Sequence, residues 1–240
     1  MFRLERDGGE ARLILDRPAS RNAIPASGWG ALGETIDRVA ASDARLLVVT
    51  GAGGTFCAGA DLADFSVMRA DPAAIARFRE DMRGALDRLG ALPIPTIALI
   101  HGHCYGAGVA LAMACDLRIA APAAAFAITP AKIGISYPQE DVHRLVALVG
   151  TGQAARLLFT AAAIGGEEAL RIGLVDLLAP DAVELCEAIL AHDKASLAVL
   201  KQAIGRAAGG ARTDAELDRR FDDLIGGAEL SRRLEALRRK

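Results

Sequence analysis

Apolar positions along the chain follow two rhythms. Short, almost uninterrupted apolar runs occur at 11–15, 46–50 and 96–100, with shorter ones at 117–120 and 125–128. Runs of this length, bounded by Gly and Pro, predict strands, and the absence of polar alternation predicts strands buried on both faces. Between them the spacing changes to three and four. Trp29, Leu32, Ile36 and Val39 predict a helix over 27–41. Ile75, Phe78, Met82, Leu86 and Leu89 predict one over 73–89, and the run 107–115 predicts a third. Strands alternating with helices predict an α/β fold with helices covering the sheet. Past residue 180 only helical spacing remains, at 183–195, 196–208, 215–225 and 229–240. The expected organisation is therefore an α/β core over 1–180 and a C-terminal helical region over 181–240.

Charge and composition remove several classes. Lys and Arg number 28 against 30 Asp and Glu, a net charge of −2, and aromatics make up 4%. Neither a basic footprint nor a stacking platform for nucleic acid is present, so no nucleic-acid partner is expected. No apolar stretch approaches the roughly 18 residues of a membrane span, and the N-terminus has no leader-like run. A cytoplasmic protein without a membrane partner is the expectation. Cys57, Cys104, Cys115 and Cys186 lack disulfide or zinc spacing, so they read as buried thiols and no metal is expected.

Candidate chemistry concentrates at two strand–turn–helix junctions, 50–62 and 101–108, both rich in Gly and Ala. Gly106-Ala107-Gly108 has the setting of a dinucleotide loop, but Leu111 stands where its third small residue belongs. Small residues at such junctions suit tight helix–sheet packing. They equally let a ligand approach unpartnered backbone N–H groups, which can hold an oxyanion.

The residues at these junctions carry a resemblance. Leu15-Asp16-Arg17-Pro18, Arg21-Asn22-Ala23, Val49-Thr50-Gly51-Ala52-Gly53 and Phe56-Cys57-Ala58-Gly59-Ala60-Asp61-Leu62 stand in order, followed by Gly106-Ala107-Gly108, Ala114-Cys115-Asp116-Leu117, Lys132-Ile133-Gly134 and Gly173-Leu174-Val175. The whole resembles the enoyl-CoA hydratase/isomerase family, the crotonase superfamily. The resemblance implies a crotonase (ClpP-like) spiral of ββα units, with 181–240 as a trimerisation region of a homotrimer or homohexamer. It implies an acyl-CoA thioester as ligand, with coenzyme A part of the substrate and no separate cofactor. It implies an oxyanion hole built from the backbone N–H groups of Ala60 and Ala107, where family members usually carry Gly at the second position. It implies that Arg21, Ala23, Asp61 and Leu62 grip the coenzyme A portion.

The departures concern proton transfer. The family's hydratases use two glutamates, at positions occupied here by Ala110 and Pro130. Neither moves a proton. The following loop supplies Tyr137, Glu140, Asp141 and His143 instead. Glu140 is the expected acid/base and Tyr137 the orienting or proton-donating partner, with Asp141 or His143 as alternatives to Glu140. Tyr137 also matches the methylmalonyl-CoA decarboxylase branch, whose active site uses a tyrosine there, although that branch has a His where this chain has Ala60. A catalytically idle crotonase-fold binding or assembly subunit is the remaining alternative.

Overall fold

The apolar runs pair with one another in space. The computed structural model describes residues 1–239. Its main sheet runs, in spatial order, through β1 (Phe2–Asp7), β2 (Glu10–Leu15), β3 (Leu46–Gly51), β4 (Thr96–Ile100), β6 (Leu117–Ala120) and β9 (Leu177–Leu178). β1 and β2 form an antiparallel hairpin, with Leu4 opposite Leu13. Every later pair is parallel and so needs a crossover. α1 (Gly28–Ala40) makes the first, α2 (Leu62–Met68) with α3 (Pro72–Ala91) the second, and α4 (Ala107–Met113) the third. A second sheet holds β5 (His103–Tyr105), β7 (Ala125–Ala127) and β8 (Ile164–Gly165).

Strand alternation divides the core into two layers. Leu47, Val49, Ala98 and Ile100 face α1 and α3, joining Trp29, Leu32, Ile36, Leu86 and Leu89. Leu46, Val48, Ile97, Leu99 and Ile119 face the other way and are closed over by Ala182 and Cys186. The second of these lies on α7 (Val183–Leu190), so the first helix beyond residue 180 seals the sheet. Burying each side chain of this kind contributes about 1.5–3 kcal/mol.

Several elements differ from the pattern-based expectation. β1 is an edge strand whose apolar Phe2 and Leu4 are separated by charged residues. α2 and α6 (Gly166–Arg171) are too short to show a periodicity. α5 (Gln139–Thr160) is the longest helix, and Gly150, at φ 74°, interrupts it, so its two halves present separate apolar stripes. The break expected at 195–196 lies earlier: α8 (Lys194–Ala208) starts on Asp193, whose carboxylate accepts from Ser196 N at 2.8 Å. α9 (Ala215–Gly226) and α10 (Ala228–Arg238) follow, and Lys240 lies outside the described residues. Among the described residues no helix is long and apolar enough to cross a membrane.

Candidate active site

Two chain turns meet beyond the ends of β3 and β4. The segment 56–60 runs alongside β5: Phe56 N donates to His101 O at 2.8 Å, Cys57 N to His103 O at 3.0 Å, and Tyr105 N to Cys57 O at 2.9 Å. Cys57 and Cys104 thus become bridge partners beneath the turns. On the other side Ile24 N donates to Gly59 O, and Asp61 N to Ile24 O. Gly59 has φ 103°, and a Cβ there would stand 2.8 Å from Tyr105 O and 3.2 Å from Ala107 N. Only glycine permits that conformation and that approach.

Asn22 clamps this arrangement. It is buried at φ 56°, donates to Ala52 O at 2.9 Å and Thr55 O at 2.6 Å, and accepts from Arg17 N at 2.9 Å. Asparagine tolerates this left-handed backbone better than most residues. On the second turn, the Gly106 carbonyl accepts from Val109 N, Ala110 N and the Tyr137 hydroxyl, the last at 3.0 Å. The Gly106–Ala107 peptide is held from its carbonyl side. Among the described residues no backbone acceptor takes the N–H of Ala60 or of Ala107.

Both alanines line a cavity of about 160 Å3. Its apolar wall comes from Phe65 on α2, Phe78 and Met82 on α3, and Ile133 and Ile135. Phe65 and Phe78 meet edge to face at 5.5 Å. The same wall continues into an adjoining groove of about 700 Å3 that adds Met68 and Ile75. Tyr137 and Asp141 are the titratable members of the cavity lining. Burial pushes the Tyr137 hydroxyl well above the usual tyrosine range, so it stays protonated and keeps donating to Gly106. Asp141 is fully buried. Its Oδ1 lies 3.3 Å from Arg83 Nη1 and 3.5 Å from Arg144 Nη1, and both arginines also reach Asp87, at 2.9 and 3.3 Å. Desolvation raises the Asp141 carboxyl above its ordinary value, against the pull of Arg83 and Arg144.

Parallel strands ending in two Gly/Ala turns, with two alanines whose N–H groups lack backbone acceptors lining one cavity, narrow the family sharply. The family model described as enoyl-CoA hydratase/isomerase matches residues 5–221. The chain belongs to the enoyl-CoA hydratase/isomerase family. A short-chain-enoyl-CoA hydratase of Clostridium acetobutylicum is 33% identical over 211 residues, covering 85% of this chain and 80% of that one. A relative from Mycobacterium leprae, described as a probable enoyl-CoA hydratase, is 34% identical over 172 residues, 70% of this chain. The chain spans about two thirds of that relative's length. The crystal structure of an enoyl-CoA hydratase from Bacillus anthracis superposes with a TM-score of 0.90 at 26% identity, covering 99% of this chain and 96% of that one. The α/β arrangement described above is accordingly the crotonase fold.

Within this family frame the residues singled out by sequence separate into groups. Ala60, Ala107 and Tyr137 come together at the cavity, and Leu62 joins its rim, largely exposed. Asp61 caps α2, accepting from Ala63 N, and pairs with Arg17 at 3.3 Å. Arg21 is exposed, and Ala23 gives its carbonyl to Arg17. Ala110 is buried one turn into α4, while Pro130 lines the cavity. Glu140 stands apart: it is exposed and borders a separate groove with Arg79, Arg83 and Asp87, outside the cavity lining. His143 is exposed as well. Sequence reasoning missed Phe65 and the pairing of Arg83 with Asp141. The first sits on a helix too short to read, and the second joins residues 58 positions apart.

Proposed function

We propose that the chain is an acyl-CoA enzyme that holds a thioester oxygen between the N–H groups of Ala60 and Ala107 and stabilises the enolate formed there. The observation that carries this reading is the pair of amides without backbone acceptors on one small, mostly apolar cavity. Negative charge builds on the thioester oxygen as the enolate forms, and donors fixed in advance stabilise it by several kcal/mol. Three donors on the Gly106 carbonyl orient the second amide. Leu62 lines the cavity, and Arg21, Ala23 and Asp61 would join it in gripping the coenzyme A portion. The substrate brings the coenzyme A, and no further cofactor is invoked.

Ala110 and Pro130 in place of the two hydratase glutamates disfavour simple hydration, which needs both an acid and a base. Isomerisation of an enoyl-CoA double bond needs a single proton shuttle and fits better. A decarboxylation of the methylmalonyl-CoA type is the second reading, favoured by Tyr137 in the cavity wall, because loss of CO₂ generates the enolate without a base. We further propose a homotrimer or homohexamer assembled through 181–240. Exposed Leu200, Ile204, Phe221, Ile225 and Leu237 on α8–α10 support it.

Isothermal titration with crotonyl-CoA, butyryl-CoA and free coenzyme A tests the reading. Thioester binding that is tighter than free coenzyme A and weakened by Ala107→Pro is expected. Absence of thioester binding at millimolar ligand would overturn it.

A further inference from the structure

The apolar wall of the cavity does not stop at its mouth. The cavity lined by Ala60 and Ala107 measures about 160 Å3 and shares Phe65, Phe78, Met82 and Ile135 with the adjoining groove of about 700 Å3. An apolar cavity on the order of 150 Å3 takes a guest the size of benzene, about six carbons. A longer chain has to continue along the groove. The groove differs from the cavity in charge. Tyr137 and Asp141 are the titratable residues of the cavity lining, and among the described residues no cation lines it. The charged residues lining the groove are Arg69, at the end of α2, and Arg79 on α3, and no acid lines it. Both arginines are exposed. Their neighbours on α3 are paired, Arg77 with Asp71 at 3.5 Å and Arg83 with Asp87 at 2.9 Å. Arg79 also borders the groove of Glu80 and Glu140. Neither Arg69 nor Arg79 forms an ion pair or a side-chain hydrogen bond among the described residues. An apolar trough flanked by two unpaired cations and free of acids suits an apolar chain whose far end is an anion.

We propose that the substrate's acyl group is a straight chain of more than about six carbons that ends in a carboxylate, met by Arg69 and Arg79. This rests on the thioester reading above. The first carbons fill the cavity, and the rest lie against Phe65, Met68, Ile75 and Phe78 in the groove. Each CH₂ taken out of water tightens binding by up to about fourfold, less in a groove open on one side. Exposed ion pairs are individually weak, so the terminal carboxylate gains on a methyl group by only about two- to fivefold. The cavity reverses that sign. A chain short enough to leave its second carboxylate inside strips the charge of water where no cation lines the wall and Asp141 is close by. Chain length therefore decides whether a second carboxylate helps or harms. Arg69 and Arg79 select the acyl group and touch no reacting atom.

The test is calorimetry of the full chain with four thioesters: hexanoyl-CoA, adipoyl-CoA, dodecanoyl-CoA and dodecanedioyl-CoA. Wild type is compared with the double variant Arg69→Gln, Arg79→Gln, whose sites are exposed and fold-neutral by position. All four ligands carry the same coenzyme A, so differences between them report the acyl group alone. In wild type, dodecanoyl-CoA is expected to bind at least about tenfold more tightly than hexanoyl-CoA. Adipoyl-CoA should bind at least about tenfold more weakly than hexanoyl-CoA. Dodecanedioyl-CoA should exceed dodecanoyl-CoA by about two- to fivefold. In the double variant that last ratio should fall to about one. A dodecanedioyl-CoA that binds no more tightly than dodecanoyl-CoA overturns the proposal, and so does a ratio that survives in the double variant. Equal weakening of all four ligands in the variant assigns the arginines to the coenzyme A phosphates and overturns it as well. Hexanoyl-CoA binding with no gain for dodecanoyl-CoA overturns the proposal and leaves the thioester reading standing. Binding of none of the four overturns both.

Discussion

The two halves of the cavity are built from different materials. One half is main chain: the turns at 57–60 and 105–107, clamped by Asn22 and by the donors on Gly106. The other half is side chain: Phe78 and Met82 from α3, then Tyr137 and Asp141 at the entry to α5. Main-chain donors survive almost any change of side chain, so Ala at 107 keeps the N–H that the proposed function uses. The side-chain half can be rewritten without disturbing the first. Ala110 and Pro130 stand beside the two turns, and neither carries a group that moves a proton. In the proposed function such a scaffold fixes where charge accumulates and leaves open how protons travel.

Removing a donor without disturbing the fold would break the comparison most severely. Ala107 is the first residue of α4, a position that suits proline. Ala107→Pro deletes one N–H and is expected to lower turnover or α-proton exchange by roughly 10²–10³-fold. Its melting temperature should stay near that of wild type. Equal loss of folding and activity would mean that the turn, rather than the donor, is what matters.

Asn22→Ala attacks the clamp. It strands the carbonyls of Ala52 and Thr55 and the N–H of Arg17, and should destabilise the protein by about 3 kcal/mol in chemical denaturation. Less than about 1 kcal/mol would show that the main-chain half holds itself. Tyr137→Phe is milder, because the Gly106 carbonyl keeps two backbone donors. Turnover should fall about three- to tenfold and stability by about 1 kcal/mol.

The smallest effect is on the pH dependence of stability. The Asp141 carboxyl is raised from 3.8 in the folded chain. Its contribution is therefore full below 3.8 and is lost as pH rises through the folded value. Asp141→Asn should gain on wild type as pH rises from acid to neutral, by up to a few degrees in melting temperature. The opposite trend would mean that Arg83 and Arg144 overcome the burial.

Much of the main-chain half was legible in the sequence. β3 and β4 stand out because strands buried on both faces leave no polar alternation, and the Gly/Ala turns follow them directly. The side-chain half was harder. Gly150 splits the apolar stripe of α5, so neither its extent nor its first turn could be phased. Glu140 and Asp141 are neighbours of the same charge type, and only the rotation of that turn decides which one meets the cavity. α2, which brings Phe65, is shorter than two full turns and shows only its Asp61 cap. Arg83 gave no sign of its partner because pairing across 58 residues is a property of packing.

The buried thiols beneath the turns have a practical use. Burial pushes Cys57 up to about 12 and Cys104 well above its ordinary range, so neither is a thiolate in the closed protein at neutral pH. Both sit on the pair of segments that must part for the turns to separate. The rate at which an alkylating reagent reaches them therefore clocks the breathing of the cavity floor, and a ligand bridging Ala60 and Ala107 should slow that clock.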